Sequence, residues 1–272
     1  MAYRFVSLNA WGGREWDSLR AWVPDIDADI LCLQEVIRAP DPSPEWLTYN
    51  DPNRILPQRA DLFVDVSALL PGHIGYFAPA ARGTLTDNTG QEHASEHGIA
   101  VWVRRSLALS HLRQDFVWGS YRSGGWGEEP VPRAIQIGRI SGLPGGSFCF
   151  AHFHGLRDPS GKGDIPSRRV QTDNVLRLLG GFAVLKEPLI LAGDFNVLPD
   201  NPMFTDLATL GIRDQITANG ISDTRTTLYS KPQRFADYLL TNQTIDIHRF
   251  EVPAQPELSD HRPLILDFDL QV

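Results

Sequence analysis

Three stretches of this chain carry residue types able to activate water or hold a charged oxygen. The first is Leu189-Ile-Leu-Ala-Gly-Asp-Phe-Asn-Val-Leu-Pro-Asp200. Its apolar run is too short for an ordinary helix and right for a buried strand. Gly193 breaks the run, and Asp194 and Asn196 then project two residues apart. A carboxylate there takes a proton from water or holds a metal; an amide donates to a phosphate oxygen. The same Gly-Asp-x-Asn pattern is ordinary turn chemistry, so the rest of the chain must decide. The second stretch is Gly146-Ser-Phe-Cys-Phe-Ala-His-Phe-His-Gly155, where strand alternation puts His152 and His154 on one face at a strand end. The third is Leu258-Ser-Asp-His261, a turn that sets Asp260 and His261 directly before the last strand.

These residues need rigid elements to hold them. Phe5-Val-Ser-Leu-Asn9 reads as a first strand with Phe5, Ser7 and Asn9 on one face; Asn9 is either a turn residue or a site residue. Asp29 to Val36 reads as a second strand with Leu31, Leu33 and Glu35 on one face. A Glu there is expensive unless solvated, paired or metal-bound. Arg133 to Ile140 and Arg234 to Leu240 are further strands, the first headed by Arg133, the second with Asp237 as its only interior charge. Helices are expected over Glu15–Val23, Gln58–Leu70, Pro166–Leu179 and Asn201–Leu210, with Asp164 a candidate cap for the third. Residues 38–58 hold five prolines and read as a long irregular loop, either substrate-shaping or a plain insertion. A polar loop is expected from Arg82 to about Ser95. In the Gly-rich loop 119–127, Tyr121 and Trp126 either stack a base or pack onto the domain.

Two motif matches fail on their context. His93-Ala-Ser-Glu-His97 fits an H-x-x-E-H zinc pattern, but that pattern needs a helix, and Gly98 with the β-rich run behind it argues for a strand. Gly161-Lys162 is not a phosphate loop, because Gly155 is one residue too far upstream and Gly163 stands where Ser or Thr is needed.

The chain has 272 residues, of which 42% are hydrophobic, enough for one large domain. With no repeat or linker in it, residues 1–272 are expected to form a single domain. The first strand begins almost at Met1, leaving no room for a signal peptide, and no apolar run reaches spanning length. Cys32 and Cys149 sit in apolar runs and read as buried free thiols of a reducing cytoplasm. The formal net charge of −8 is unhelpful to a nonspecific nucleic-acid binder and speaks against a long duplex as substrate.

Taken together, Ser-Leu-Asn9, Leu-Gln-Glu35, Ala-His-Phe-His154, Gly-Asp194-Phe-Asn196, Ala-Asp237-Tyr-Leu and Ser-Asp260-His261 resemble the ordered motifs of the endonuclease/exonuclease/phosphatase superfamily. The resemblance implies an α/β fold, a four-layer α/β/β/α sandwich of two mixed sheets flanked by helices. It implies Mg2+ or Mn2+, with Glu35 as main ligand and Asn9 and Asp260 nearby. Asp194 would orient or deprotonate the attacking water, helped by Asn196. His261 would contact the phosphate, held by Asp237, and His154 would be a second phosphate contact or the acid at the leaving group. By the same analogy Glu96 would orient His154 and Arg133 would touch the scissile phosphate. His152 stands where many relatives have Asn, so its role in binding substrate is left open. A carboxylate beside His261 is expected to raise its pKa. The activity implied is phosphodiester hydrolysis, by a monomer, on DNA or RNA ends or single strands; the alternative is a small-molecule or lipid phosphoester.

Overall fold

The computed structural model describes residues 2–41, 44–51, 54–127, 130–182 and 187–270. The strands are β1 (Tyr3–Asn9), β2 (Ile30–Arg38), β3 (Trp46–Asp51), β4 (Arg54–Arg59), β5 (His73–Thr86), β6 (Glu92–Arg104), β7 (Ala108–Trp118), β8 (Arg133–Leu143), β9 (Gly146–His154), β10 (Leu189–Asp194), β11 (Arg213–Asp214), β12 (Asp237–Thr241), β13 (Ile245–Glu251) and β14 (Leu264–Leu270). The helices are α1 (Trp16–Asp25), α2 (Leu62–Leu69), α3 (Pro166–Gly180), α4 (Met203–Ala208) and α5 (Gln215–Ala218).

Among the described residues the strands make two mixed sheets. The larger has the order β13-β14-β1-β2-β6-β5-β3-β4, the smaller β11-β12-β10-β9-β8-β7. Only the β1–β2 and β9–β10 pairs run parallel. The sheets face each other with the helices outside, which is the four-layer sandwich. No described helix is long and apolar enough to cross a membrane.

Alternation along β1 and β2 builds the two apolar layers of the larger sheet. Phe5, Ile30 and Cys32 face the smaller sheet, where Phe5 meets Phe150 at 6.3 Å between ring centroids. Val6, Leu8, Leu31 and Leu33 face outward onto Leu19 and Val23 of α1 and Leu62 and Val66 of α2. Cys32 and Cys149 are both buried free thiols. Continued alternation would send Glu35 outward with Leu31 and Leu33. Instead the β2–β6 register slips between Gln34 and Val36, and Glu35 takes φ +54°. A bulge of this kind re-aims one side chain and bends the strand, and Glu35 turns toward Asn9 between the sheets.

Several expected boundaries move. The 38–58 stretch is not an irregular loop where described: β3 and β4 pair as a hairpin, and Pro57 is tolerated because β4 is an edge strand with no neighbour needing its N–H. The polar segment from Arg82 to Ser95 is mostly the long β5–β6 hairpin, paired out to Thr86 and Glu92. Gly193 does not end β10 but lies within it. Its φ is +135°, and a Cβ there would come within 2.1 Å of the Phe153 carbonyl, so glycine lets the two parallel strands approach. Asp164 does not cap α3; its carboxylate pairs with Arg169.

A polar bridge crosses the otherwise apolar interior. Gln34 Nε2 donates to Ser7 Oγ (3.3 Å) and to His152 Nδ1 (3.2 Å); His152 Nε2 then donates to Gln136 Oε1 (2.8 Å). Gln136 in turn donates to the Tyr76 carbonyl. His152 is therefore a wholly buried strut between the sheets and not a substrate-binding residue.

This strut generates a pH dependence. Burial pushes the His152 pKa from 6.5 down to about 3. Between those values the unfolded chain binds a proton that the folded chain refuses, so stability falls as pH falls through this window. Denaturant titrations should show an acid limb to which this group adds up to about 1.4 kcal/mol per pH unit. His152→Gln should flatten the limb, and an unchanged slope would show that His152 is not its source.

Candidate active site

Strand register assembles the site. β10 lies between β9 and β12, and Asp194 is the register partner of His154 on one side and Asp237 on the other. One row across the smaller sheet thus reads imidazole, carboxylate, carboxylate. The larger sheet supplies Asn9 from the end of β1, Glu35 from the β2 bulge, and Asp260 with His261 from the turn before β14.

Asn9 joins the two sets. Its Nδ2 donates to Asp194 Oδ2 (3.0 Å) and to Glu35 Oε1 (3.2 Å), and its Oδ1 accepts from the Trp11 backbone N–H (3.0 Å). Asp194 Oδ1 accepts from the Asn196 N–H (2.9 Å), in the turn that Asn196 makes at φ +55°. The Asn196 side chain donates to the Gly155 carbonyl. His154 Nε2 and His261 Nε2 flank Asp194 Oδ2, each at 3.7 Å. His154 Nε2 is also 3.8 Å from Glu35 Oε1, and His261 Nε2 is 3.7 Å from Asp260 Oδ1.

Two arginines set the state of the imidazoles. Arg225 Nη1 donates to His261 Nε2 and to Asp260 Oδ2 (3.0 Å). Arginine only donates, so His261 carries its proton on Nδ1, which donates to Asp237 at 2.8 Å. Arg133 Nη1 donates to His154 Nδ1 at 3.0 Å. The expected rise in the His261 pKa does not occur. Burial, reinforced by Arg225, pushes it down to about 4, and burial lifts Asp237 up to about 7. Burial and then Arg133 hold His154 well below the ordinary histidine value. Burial raises Asp194 and Asp260 above the usual carboxylate range. At neutral pH both imidazoles are neutral.

These side chains line one end of a cavity of about 560 Å³. A wall of rings runs away from His154: His97 at 6.3 Å, then Trp126 at 6.4 Å from His97, then Tyr49 at 6.4 Å from Trp126. Trp126 is fixed by its Nε1 donating to the Thr84 carbonyl. The cavity is also lined by the cations Arg157, Lys162 and Arg225.

The structure thus brings together Asn9, Glu35, Arg133, His154, Asp194, Asn196, Asp237, Asp260 and His261. It does not bring in His152 or Glu96. The Glu96 carboxylate accepts from the Tyr121 hydroxyl (3.2 Å), and its strand neighbour His97, on the other face, meets His154 instead. In a strand His93 and His97 stand about 13 Å apart, and His93 is bound to Asp87, so the two share no metal. Lys162 and His97 line the cavity without a role from the motifs, while Arg225 belongs to the polar loop Thr224-Arg225-Thr226, which the sequence offers as able to reach a phosphate. For Lys162 the signal was present, a lysine between two glycines after a strand-end histidine, but the phosphate-loop test was the wrong one to apply.

Convergent hard-oxygen donors, paired imidazoles and flanking arginines on this sandwich define a class, the phosphoester hydrolases. The family model described as Endonuclease/Exonuclease/phosphatase family matches residues 6–261, and the chain belongs to that family. Among curated proteins none matches the chain. Solved structures share the fold at low identity. An endonuclease/exonuclease/phosphatase from Beutenbergia cavernae is 18% identical over 99% of this chain and 72% of its own, with a TM-score of 0.69. The Bacteroides thetaiotaomicron mannosyl-6-phosphatase is 16% identical over 98% and 100%, TM-score 0.68. The human Nocturnin catalytic domain, with bound sulfate, is 17% identical over 99% and 94%, TM-score 0.67.

The buried Arg225–Asp260 pair generates a stability prediction. Arg225→Met leaves the Asp260 carboxylate without its cation, and breaking a buried pair from one side typically costs about 3 kcal/mol or more. A clear fall in thermal midpoint is expected at neutral pH, and an unchanged midpoint would show the pair to be solvated.

Proposed function

We propose that this protein is a divalent-metal-dependent hydrolase of compact phosphoesters, acting on nucleic-acid ends or single strands. The observation that carries the reading is Asp194, held between two imidazoles and an amide at the floor of a cavity of small-ligand size. The chain is read as a single monomeric domain.

The donor set fits a hard cation. Among the described residues, Asp194, Asp237 and His261 offer ligand atoms within 4.8 Å of one another, but Asp237 and His261 are spent on each other. Glu35 and Asp260 are the carboxylates that line the cavity and would hold Mg2+ or Mn2+, with Asn9 behind them steering Glu35 through its Nδ2. Bound there, the ion supplies charge relief on the non-bridging phosphoryl oxygens. Asp194 orients the attacking water and takes its proton, its carboxylate fixed by Asn9 and the Asn196 N–H. His261, anchored by Asp237, contacts the phosphoryl group. His154, with Arg133 beside it, is a second phosphoryl contact or, once the phosphoryl charge favours its protonated form, the acid at the leaving oxygen.

The ring wall of His97, Trp126 and Tyr49 supports a base beside the scissile phosphate, since bases stack on such faces. The net charge of −8 supports a second reading, a small phosphoester such as a sugar phosphate or nucleotide. The mannosyl-6-phosphatase among the structural relatives is a precedent for that on this fold.

Activity should appear with Mg2+ or Mn2+ on bis-p-nitrophenyl phosphate and vanish in EDTA. Labelled single-stranded oligonucleotides should shorten from their ends while duplex interiors persist; turnover of sugar phosphates alone would select the second reading. Asp194→Asn and His261→Ala should each lower kcat by at least about 100-fold with cooperative unfolding retained. Near-normal rates in either would refute the roles given.

A further inference from the structure

Lys162 is only 8% exposed, yet it lines the cavity. Its ammonium donates to the Phe235 carbonyl and lies 5.9 Å from the Tyr229 ring. Among the described residues no carboxylate forms an ion pair with it. The neighbouring charges are Arg225 and Arg168, which repel it, and Asp194 and Asp237, which attract it without forming an ion pair. A buried cation without a counter-ion is destabilising.

The chain nevertheless fixes it there with care. Arg168 of α3 donates to the carbonyls of Gly161 and Gly163, the residues on either side of Lys162, and more weakly to that of Leu156. Gln171, one turn on, accepts from the Leu156 N–H at 2.7 Å. Both side chains are buried. Arg225 lies over the same Tyr229 ring at 4.1 Å, so two cations approach one aromatic ring.

We propose that Lys162 is an anion-binding residue whose missing partner is a phosphoryl oxygen of the substrate. The phosphoryl group is then clamped between Lys162 and Arg225 on one flank and Arg133 on the other. This rests on the phosphoester reading, and it adds a specificity residue that the catalytic motifs do not contain.

A structural lysine and an anion-binding lysine give opposite results on Lys162→Met, which keeps the volume and removes the charge. Inorganic phosphate binding is followed by calorimetry, and the thermal midpoint is measured without ligand. The proposal expects phosphate affinity to fall about tenfold while the midpoint holds or rises, with Lys162→Arg retaining phosphate binding. Unchanged phosphate affinity, or a lowered midpoint, overturns it. Neither readout needs turnover, so a wild-type protein inert toward every phosphoester would sink the hydrolase reading and leave this test standing.

Discussion

The Asn9 amide is the contact on which the site depends. Glu35 and Asp194 come from different sheets and end at the same point, where two carboxylates repel. One NH2 group has two hydrogens, and each goes to one carboxylate. The Trp11 N–H on the amide oxygen fixes which way the group faces. Repulsion between the sheets thus becomes a bridge at the end where they carry chemistry. Farther in, the same two sheets are joined by the Phe5–Phe150 contact and by the Gln34–His152–Gln136 strut. Apolar packing sets how far apart the sheets lie, and these polar contacts set their register against each other.

Burial decides the protonation of the histidines around that bridge, whereas Glu35 is held below its ordinary value, against its burial, by His97, His261 and the Asn9 amide. His97, His152, His154 and His261 all lie below the ordinary histidine value, and in each the largest cause is loss of water. Carboxylate neighbours do not reverse this for His261, because Arg225 stands closer to its free nitrogen and works the other way. The imidazoles of the site are therefore neutral, and its positive charge comes from arginine and lysine. An incoming phosphoryl group changes that balance, since its negative charge favours protonated histidine.

The strand ends were legible because polar residues that close apolar strands have few inexpensive explanations. Asn9, His154 and Asp194 show that pattern, Asp237 opens β12 and His261 stands in the turn before β14, and the structure gathers all five at one end. Glu35 was legible as a site candidate but not in its orientation. Alternation alone sends it outward with Leu31 and Leu33, and the bulge that turns it inward leaves no mark in the residue types. His152 shares a strand face with His154, yet two residues of depth separate a buried strut from a site group. The hairpin within 38–58 was hidden by its prolines, which an edge strand tolerates. The polar residues from Arg82 to Ser95 concealed a hairpin for the opposite reason, since strands that extend past the core lose their apolar alternation.

Charge distribution links this architecture to the choice of substrate. The whole chain is acidic, with a formal charge of −8, so a long polyanion laid across its surface meets repulsion and releases few counter-ions. Inside the cavity the sign changes locally, where Arg133, Arg157, Lys162 and Arg225 surround the acids. Low-dielectric walls focus such a field, so attraction is felt by an anion small enough to enter. The same acidic balance that weakens nonspecific nucleic-acid binding is thus paired with a cavity whose lining cations attract a small anion.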